Sequence, residues 1–260
     1  MNRTGQKFIY FAIISALPFF TWILSNQNIH LITFLLVVIV FILSKYLKSL
    51  AFLRDTFEII ILFFTIEFLL NFIGLDKLFP LNHFIAILLL YFFLLRLKKY
   101  PAGRFYLQIG KIKDNLLIGF SFALFSMLGL SIWFLLQKNS PYTEMTPQTS
   151  TLFLIPMGLG FALINSIYEE SVFRSILLSY FTREVGFALA LVIQAIWFSF
   201  LHFQAGFPSG EIGVLLTFIF GLMMGYLIHR TKGIFLPVCI HFLADLTIFI
   251  LALLKMKGNI

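Results

Sequence analysis

Leu31-Ile-Thr-Phe-Leu-Leu-Val-Val-Ile-Val-Phe-Ile-Leu43 is an uncharged run whose only polar side chain is a threonine. It lacks the alternation of apolar and polar residues that marks a strand of a transmembrane barrel. A continuous apolar run of this kind reads as a helix, which satisfies its own backbone polar groups in hydrocarbon. Comparable runs recur on both sides of it. The whole chain of 260 residues is 60% hydrophobic and 12% charged. A soluble domain carries about 25% charged residues, so this chain has too little polar surface to cover a globule. The expected fold is all-α: a polytopic transmembrane helical bundle.

Nine candidate spans follow from the apolar runs: 8–24, 29–44, 57–73, 83–95, 115–136, 151–180, 187–203, 212–228 and 234–254. The fourth is short for a crossing. The sixth is too long for one straight crossing. Pro156, Gly158 and Gly160 are placed to kink it early, and its far end is expected to project into the interface. Arg3 and Lys7 ahead of the first run have the form of a signal peptide. No small-residue cleavage site follows, so the run reads as a retained span kinked at Pro18.

The net charge of +8 sits in short loops and not in one patch, which argues against nucleic acid as a partner. Lys45, Lys48 and Arg54 follow the second span. Arg96, Lys98, Lys99, Arg104, Lys111 and Lys113 follow the fourth. Arg183 follows the sixth, and Arg230 and Lys232 the eighth. If every span crosses, these loops share one side with the N-terminus, and that side is expected to be cytoplasmic. The expected location is therefore a plasma membrane of the bacterial inner-membrane kind. The opposite loops, 25–28, 76–80 and 204–211, are nearly neutral. Lys255 and Lys257 break the pattern, because nine crossings put them outside, so the count is left at eight or nine. The polar stretch 137–150 reads as an external loop. It divides N-terminal spans (1–150), poor in reactive groups, from a later membrane core (151–260) that holds nearly all of them. The lone cysteine, Cys239, excludes an internal disulfide and a cysteine-based metal cluster.

Within the sixth span, Leu163-Ile-Asn-Ser-Ile-Tyr-Glu-Glu-Ser-Val-Phe-Arg174 places two acids in an apolar run. An ionised carboxylate at membrane depth costs ~2.5 kcal/mol or more, so such a residue faces the bundle interior and marks function. Glu170 and Arg174 share a face at four-residue spacing and are expected to pair. Glu169 points ~100° away, without a local basic partner, and is a candidate base. The bland alternative is that both acids only brace helices. His202 ends the seventh span, with Phe198 one turn before it. His241 and Asp245 share a face in the last span. A lone histidine in a span is more often a hydrogen-bonded core residue than a catalyst; two with two acids on three late spans are harder to dismiss. Glu58 and Glu67 in the third span, Asn165 one turn before Glu169, and Gln194 read as packing residues. Glu67 is expected to share a face with Asn71, and Asn165 to bond Glu169.

Glu169-Glu-x-x-x-Arg174, Phe198-x-x-x-His202 and His241-x-x-x-Asp245, in this order in late membrane segments, resemble the CPBP (Abi) family, which includes the CaaX prenyl-protein endopeptidases. The resemblance covers about 152–254. It implies an intramembrane endopeptidase acting on a peptide or protein substrate, prenylated or otherwise membrane-associated. It implies that Glu169 and His202 activate the attacking water, that His241 and Asp245 stabilise the oxyanion, and that Glu170, Arg174 and Phe198 organise the site. Many members carry Asn where this chain has Asp245, and an ionised Asp can only accept hydrogen bonds. Asp245 also makes zinc more credible, with Glu169, His202, His241 and Asp245 as its ligands. The HExxH pair of soluble zinc proteases is absent, and the reading leans to no obligatory metal. Two other functions stay open: a non-catalytic bacteriocin-immunity protein on the same fold, and an ion-coupled transporter using Glu169, Glu67 and the histidines.

Overall fold

The computed structural model describes residues 3–23, 29–46, 48–136, 151–205 and 207–256. The 25–28 and 137–150 loops and Lys257 lie outside the described residues. Among the described residues the chain is helical, without strands. The helices are α1 (Arg3–Ile23), α2 (Ile29–Tyr46), α3 (Arg54–Phe72), α4 (Leu81–Phe92), α5 (Leu116–Leu136), α6 (Thr151–Glu169), α7 (Leu178–Val185), α8 (Phe187–Ala205), α9 (Gly210–Thr231) and α10 (Phe235–Met256). Three stretches, Lys113–Leu136, Gly210–Thr231 and Phe235–Lys255, are each long and apolar enough to cross a bilayer. Their outward side chains are apolar too: Leu117 and Leu136 on α5 are 79% and 75% exposed. A surface of this kind is stable against acyl chains and not against water. The protein is an integral membrane helical bundle.

The helices alternate in direction, and side-chain contacts define two ends. At one end Arg183, at the close of α7, pairs with Asp55 at the head of α3. Lys98, just past α4, donates to Glu58 at 2.5 Å. That bond favours the charged ammonium and raises the Lys98 pKa above its ordinary value. Glu58 therefore belongs to the basic end and not to the membrane interior where the sequence reading put it. Arg230, closing α9, donates to Asn115 at the head of α5 at 3.1 Å. At the other end Phe79, before α4, packs on Phe161 of α6, and Trp133, late in α5, packs edge-on against Phe207. Lys255 lies over Phe134 at that same end, so α10 finishes opposite the basic end.

α6 and α7 form one helical run that includes Pro156. The irregularity comes later, as a π-helical turn over Glu170–Leu177. Below it, the segment 99–113 folds back under the bundle. Ser175 Oγ donates to the Phe105 carbonyl, and Ser179 Oγ to that of Arg104 at 2.9 Å. The Ile234 amide donates to the Tyr106 carbonyl at 3.0 Å. The head of α10 is thus lifted to the level of Ser175. Gly233 makes this possible: a Cβ there would lie 2.5 Å from the Ile109 carbonyl oxygen, a backbone atom that cannot step aside. Gly233→Ala is expected to cost about 1–3 kcal/mol by overpacking. A fall in the thermal midpoint of the detergent-solubilised protein would register it.

Candidate active site

The two glutamates lie ~100° apart around the helix and reach one ring at its two different nitrogens. A wider π-helical turn, a feature often found at functional sites, begins at Glu170. Glu170 Oε1 accepts from His241 Nδ1 at 2.7 Å. Glu169 Oε2 lies 3.3 Å from His241 Nε2 and 3.7 Å from His202 Nε2. Asp245 Oδ1 lies 3.6 Å from His241 Nε2. The four predicted residues, which come from three separate helical runs, are therefore brought together.

Behind them Arg174 and Glu170 are both fully buried. Arg174 Nη1 is 3.3 Å from Glu170 Oε1, an ion pair without hydrogen-bond geometry. The guanidinium instead lies over Phe198, 3.9 Å from its centroid, a cation–π contact strengthened by desolvation. Phe198 also meets Phe173 edge-on at 5.2 Å and packs on His202 at 4.3 Å. It separates the buried cation from the imidazole. His202 Nδ1 donates to the Phe198 carbonyl at 2.7 Å. A carbonyl oxygen can only accept, so the proton is on Nδ1, and in the neutral ring Nε2 faces Glu169 as an acceptor.

Asn165 does not make the bond to Glu169 that the helical spacing predicts. Its Nδ2 donates across to Asp245 Oδ2 at 3.0 Å. Tyr168 donates its hydroxyl to Glu67 Oε1 at 2.9 Å, locking α3 to α6 in keeping with a packing role for Glu67. Gln194 donates to the Leu191 and Gly221 carbonyls and ties α8 to α9, in keeping with a packing role.

One site residue escaped the motif reading. His83, at the head of α4, lines the same cavity as Glu169 and His202. Its ring stacks on Tyr168 with centroids 4.1 Å apart, and its Nδ1 is buried without a hydrogen-bond partner among the described residues. No spacing ties it to the later motifs, so only its place in an apolar helix marked it.

The cavity holds about 390 Å³ and is walled by Phe125, Leu130, Phe161, Phe207, Leu216 and Phe220, with the four predicted residues on its polar side. As to metal, no set of three or more His, Cys, Asp or Glu among the described residues has the geometry to hold an ion. Asp245 Oδ2 is taken by Asn165.

The site is an acid–imidazole cluster walled by aromatic side chains inside a membrane bundle. Residues 151–247 match the family model described as Type II CAAX prenyl endopeptidase Rce1-like, which puts this segment in the CPBP/CAAX protease family. The matched segment runs from α6 into α10 and includes every motif residue. No curated protein and no solved structure matches the chain significantly.

Proposed function

We propose that this protein is an intramembrane endopeptidase in which Glu169 and His202 together activate the hydrolytic water. The observation that carries the reading is the pairing of Glu169 Oε2 with His202 Nε2 at 3.7 Å. Two acceptors aimed at one point cannot bond each other, but they suit the two hydrogens of one water. Glu169 takes the proton as the water oxygen attacks the scissile carbonyl carbon. The C–N bond then breaks, and the proton passes to the leaving amine.

Oxyanion stabilisation falls to His241 and to the Asn165–Asp245 pair. An ionised Asp245 would repel the developing charge. Asn165 has a second N–H beyond the one given to Asp245, and it lines the cavity. We assign it the amide donor role, with Asp245 holding it in place. Asn165→Leu is then expected to lower kcat ~10²-fold with little change in KM, as when one oxyanion donor is removed. Steady-state cleavage of an internally quenched peptide by purified protein measures it. Asp245→Asn, which replaces the acid with another amide, should stay within about tenfold of wild type. An unchanged kcat in Asn165→Leu removes the amide from the mechanism.

No step is routed through a metal. The corresponding expectation is full peptide cleavage after exhaustive dialysis against a chelator, in protein free of transition metal by elemental analysis. Loss of activity restored by zinc would reverse that assignment. The orientation proposed is cytoplasmic for the basic end and the N-terminus, in a bacterial-type plasma membrane.

A further inference from the structure

His83 sits between two aromatic neighbours on the cavity wall. Its ring lies nearly parallel to Tyr168, with centroids 4.1 Å apart and planes at 12°, and Phe79 meets it edge-on at 5.0 Å. Tyr168 is itself fixed, because its hydroxyl donates to Glu67 Oε1 at 2.9 Å. It also precedes Glu169 in the chain, so one helix positions both the acid and the imidazole beside a shared cavity. A phenylalanine at 83 would stack on Tyr168 too and would bury no polar atom. Histidine leaves Nδ1 buried without a hydrogen-bond partner among the described residues. Such an atom lowers stability, and packing alone does not account for it.

The enclosed nitrogen fixes where the ring proton sits. Orphaned buried N–H groups are rare, and a neutral imidazole carries its proton on one nitrogen only. The proton is therefore on Nε2. That nitrogen is open, neither enclosed nor bonded to any described residue. His83 thus presents an N–H donor at the cavity wall.

The other polar groups of the wall are already engaged. Ser126 Oγ donates to the Phe122 carbonyl at 2.8 Å, and Thr217 Oγ1 to that of Gly213 at 2.7 Å, each within its own helix. His241 is held between Glu170 and Glu169, His202 Nε2 faces Glu169, and Asn165 is tied to Asp245. An extended peptide brings a new main-chain carbonyl every ~3.5 Å. Each carbonyl that enters the cavity gives up its water and needs a donor in return.

Resting on the protease reading above, we propose that His83 is a substrate-binding residue. Its Nε2–H donates to a main-chain carbonyl of the peptide flanking the scissile bond, and the Glu67–Tyr168 pair holds the ring in place. His83 takes no part in proton transfer.

His83→Phe keeps the stacking and removes the donor; His83→Gln keeps an amide N–H close to the position of Nε2. With an internally quenched peptide and purified protein, His83→Phe is expected to raise KM about 3–10-fold, the scale of one neutral hydrogen bond, with kcat within about twofold. His83→Gln should recover most of that loss. The contact is also read from the substrate. Replacing one flanking amide at a time with an ester weakens its carbonyl as an acceptor. At one position the ester should raise KM about 3–10-fold in wild type and leave His83→Phe unmoved. The pH profile of kcat/KM should keep both limbs in His83→Phe. Unchanged KM in folded His83→Phe, equal ester effects in wild type and variant at every position, or a missing limb overturns the assignment. Should His83→Phe not purify, His83→Leu, which also lacks the donor, carries the same expectations. Binding separates this contact from the protease reading. In a Glu169→Gln background, His83→Phe should weaken capture of the same fluorescent peptide about 3–10-fold by anisotropy. Unchanged affinity overturns the His83 contact alone; capture without any turnover by wild type overturns the protease reading and leaves the contact standing.

Discussion

Arg174→Met is expected to destabilise the protein by about 3–5 kcal/mol, the cost of leaving one member of a buried ion pair without its partner. Arg174 is fully buried and is the nearest full positive charge to Glu170. Methionine keeps most of the volume and removes only the charge and the stacking on Phe198. The loss should appear as a large drop in thermal midpoint, or as failure to purify as a monodisperse species. The double variant Arg174→Met/Glu170→Gln should recover most of the stability, because it removes both charges together. It should not recover activity, since Glu170 orients His241 through the 2.7 Å bond to Nδ1. An Arg174→Met protein as stable as wild type would show that Glu170 is buried without needing its cation.

Glu169→Gln should lower kcat/KM by at least ~10³-fold, near the upper range for removal of a general base. Gln is almost isosteric and keeps one carbonyl acceptor, so the bundle should remain folded. Glu169 supports it: unlike Glu170 it is not fully enclosed, with 15% of its side chain exposed towards the cavity. The variant should therefore elute and melt like wild type while failing to cleave. Parallel loss of fold and activity would instead speak for the bracing role.

Much of this architecture was legible because membrane helices announce themselves by continuous apolar runs. The candidate spans fall on the observed helices. Three features were not legible, each for a physical reason. Nothing in the sequence marks the π turn at Glu170–Leu177, nor that the two diverging glutamates meet one imidazole at its two nitrogens. Hydrogen-bond register inside a helix leaves little trace in composition. The common level of the site residues was not legible either. Counting from the span ends puts His241 ~10 Å up and His202 ~23 Å up, on the assumption that all helices start on one plane. They do not. Residues 102–106 tuck beneath α10 and raise its head, while α7 continues to Val185 beyond the expected end. Finally, polar residues find partners across helices as readily as along them. Asn165 bonds Asp245 eighty positions away, and Tyr168 bonds Glu67. Spacing within one helix cannot reveal that choice, nor could it draw His83 into the site.

The central claim is that Glu169 and His202 act as one unit on one water. A double-mutant cycle on the purified protein tests it most directly, with kcat/KM measured for Glu169→Gln, His202→Gln and the pair. Residues that act as a unit are strongly non-additive, so the double variant is expected to fall about as far as either single variant, ~10³-fold. Retained turnover in Glu169→Gln, or losses that simply multiply in the double variant, would contradict the account.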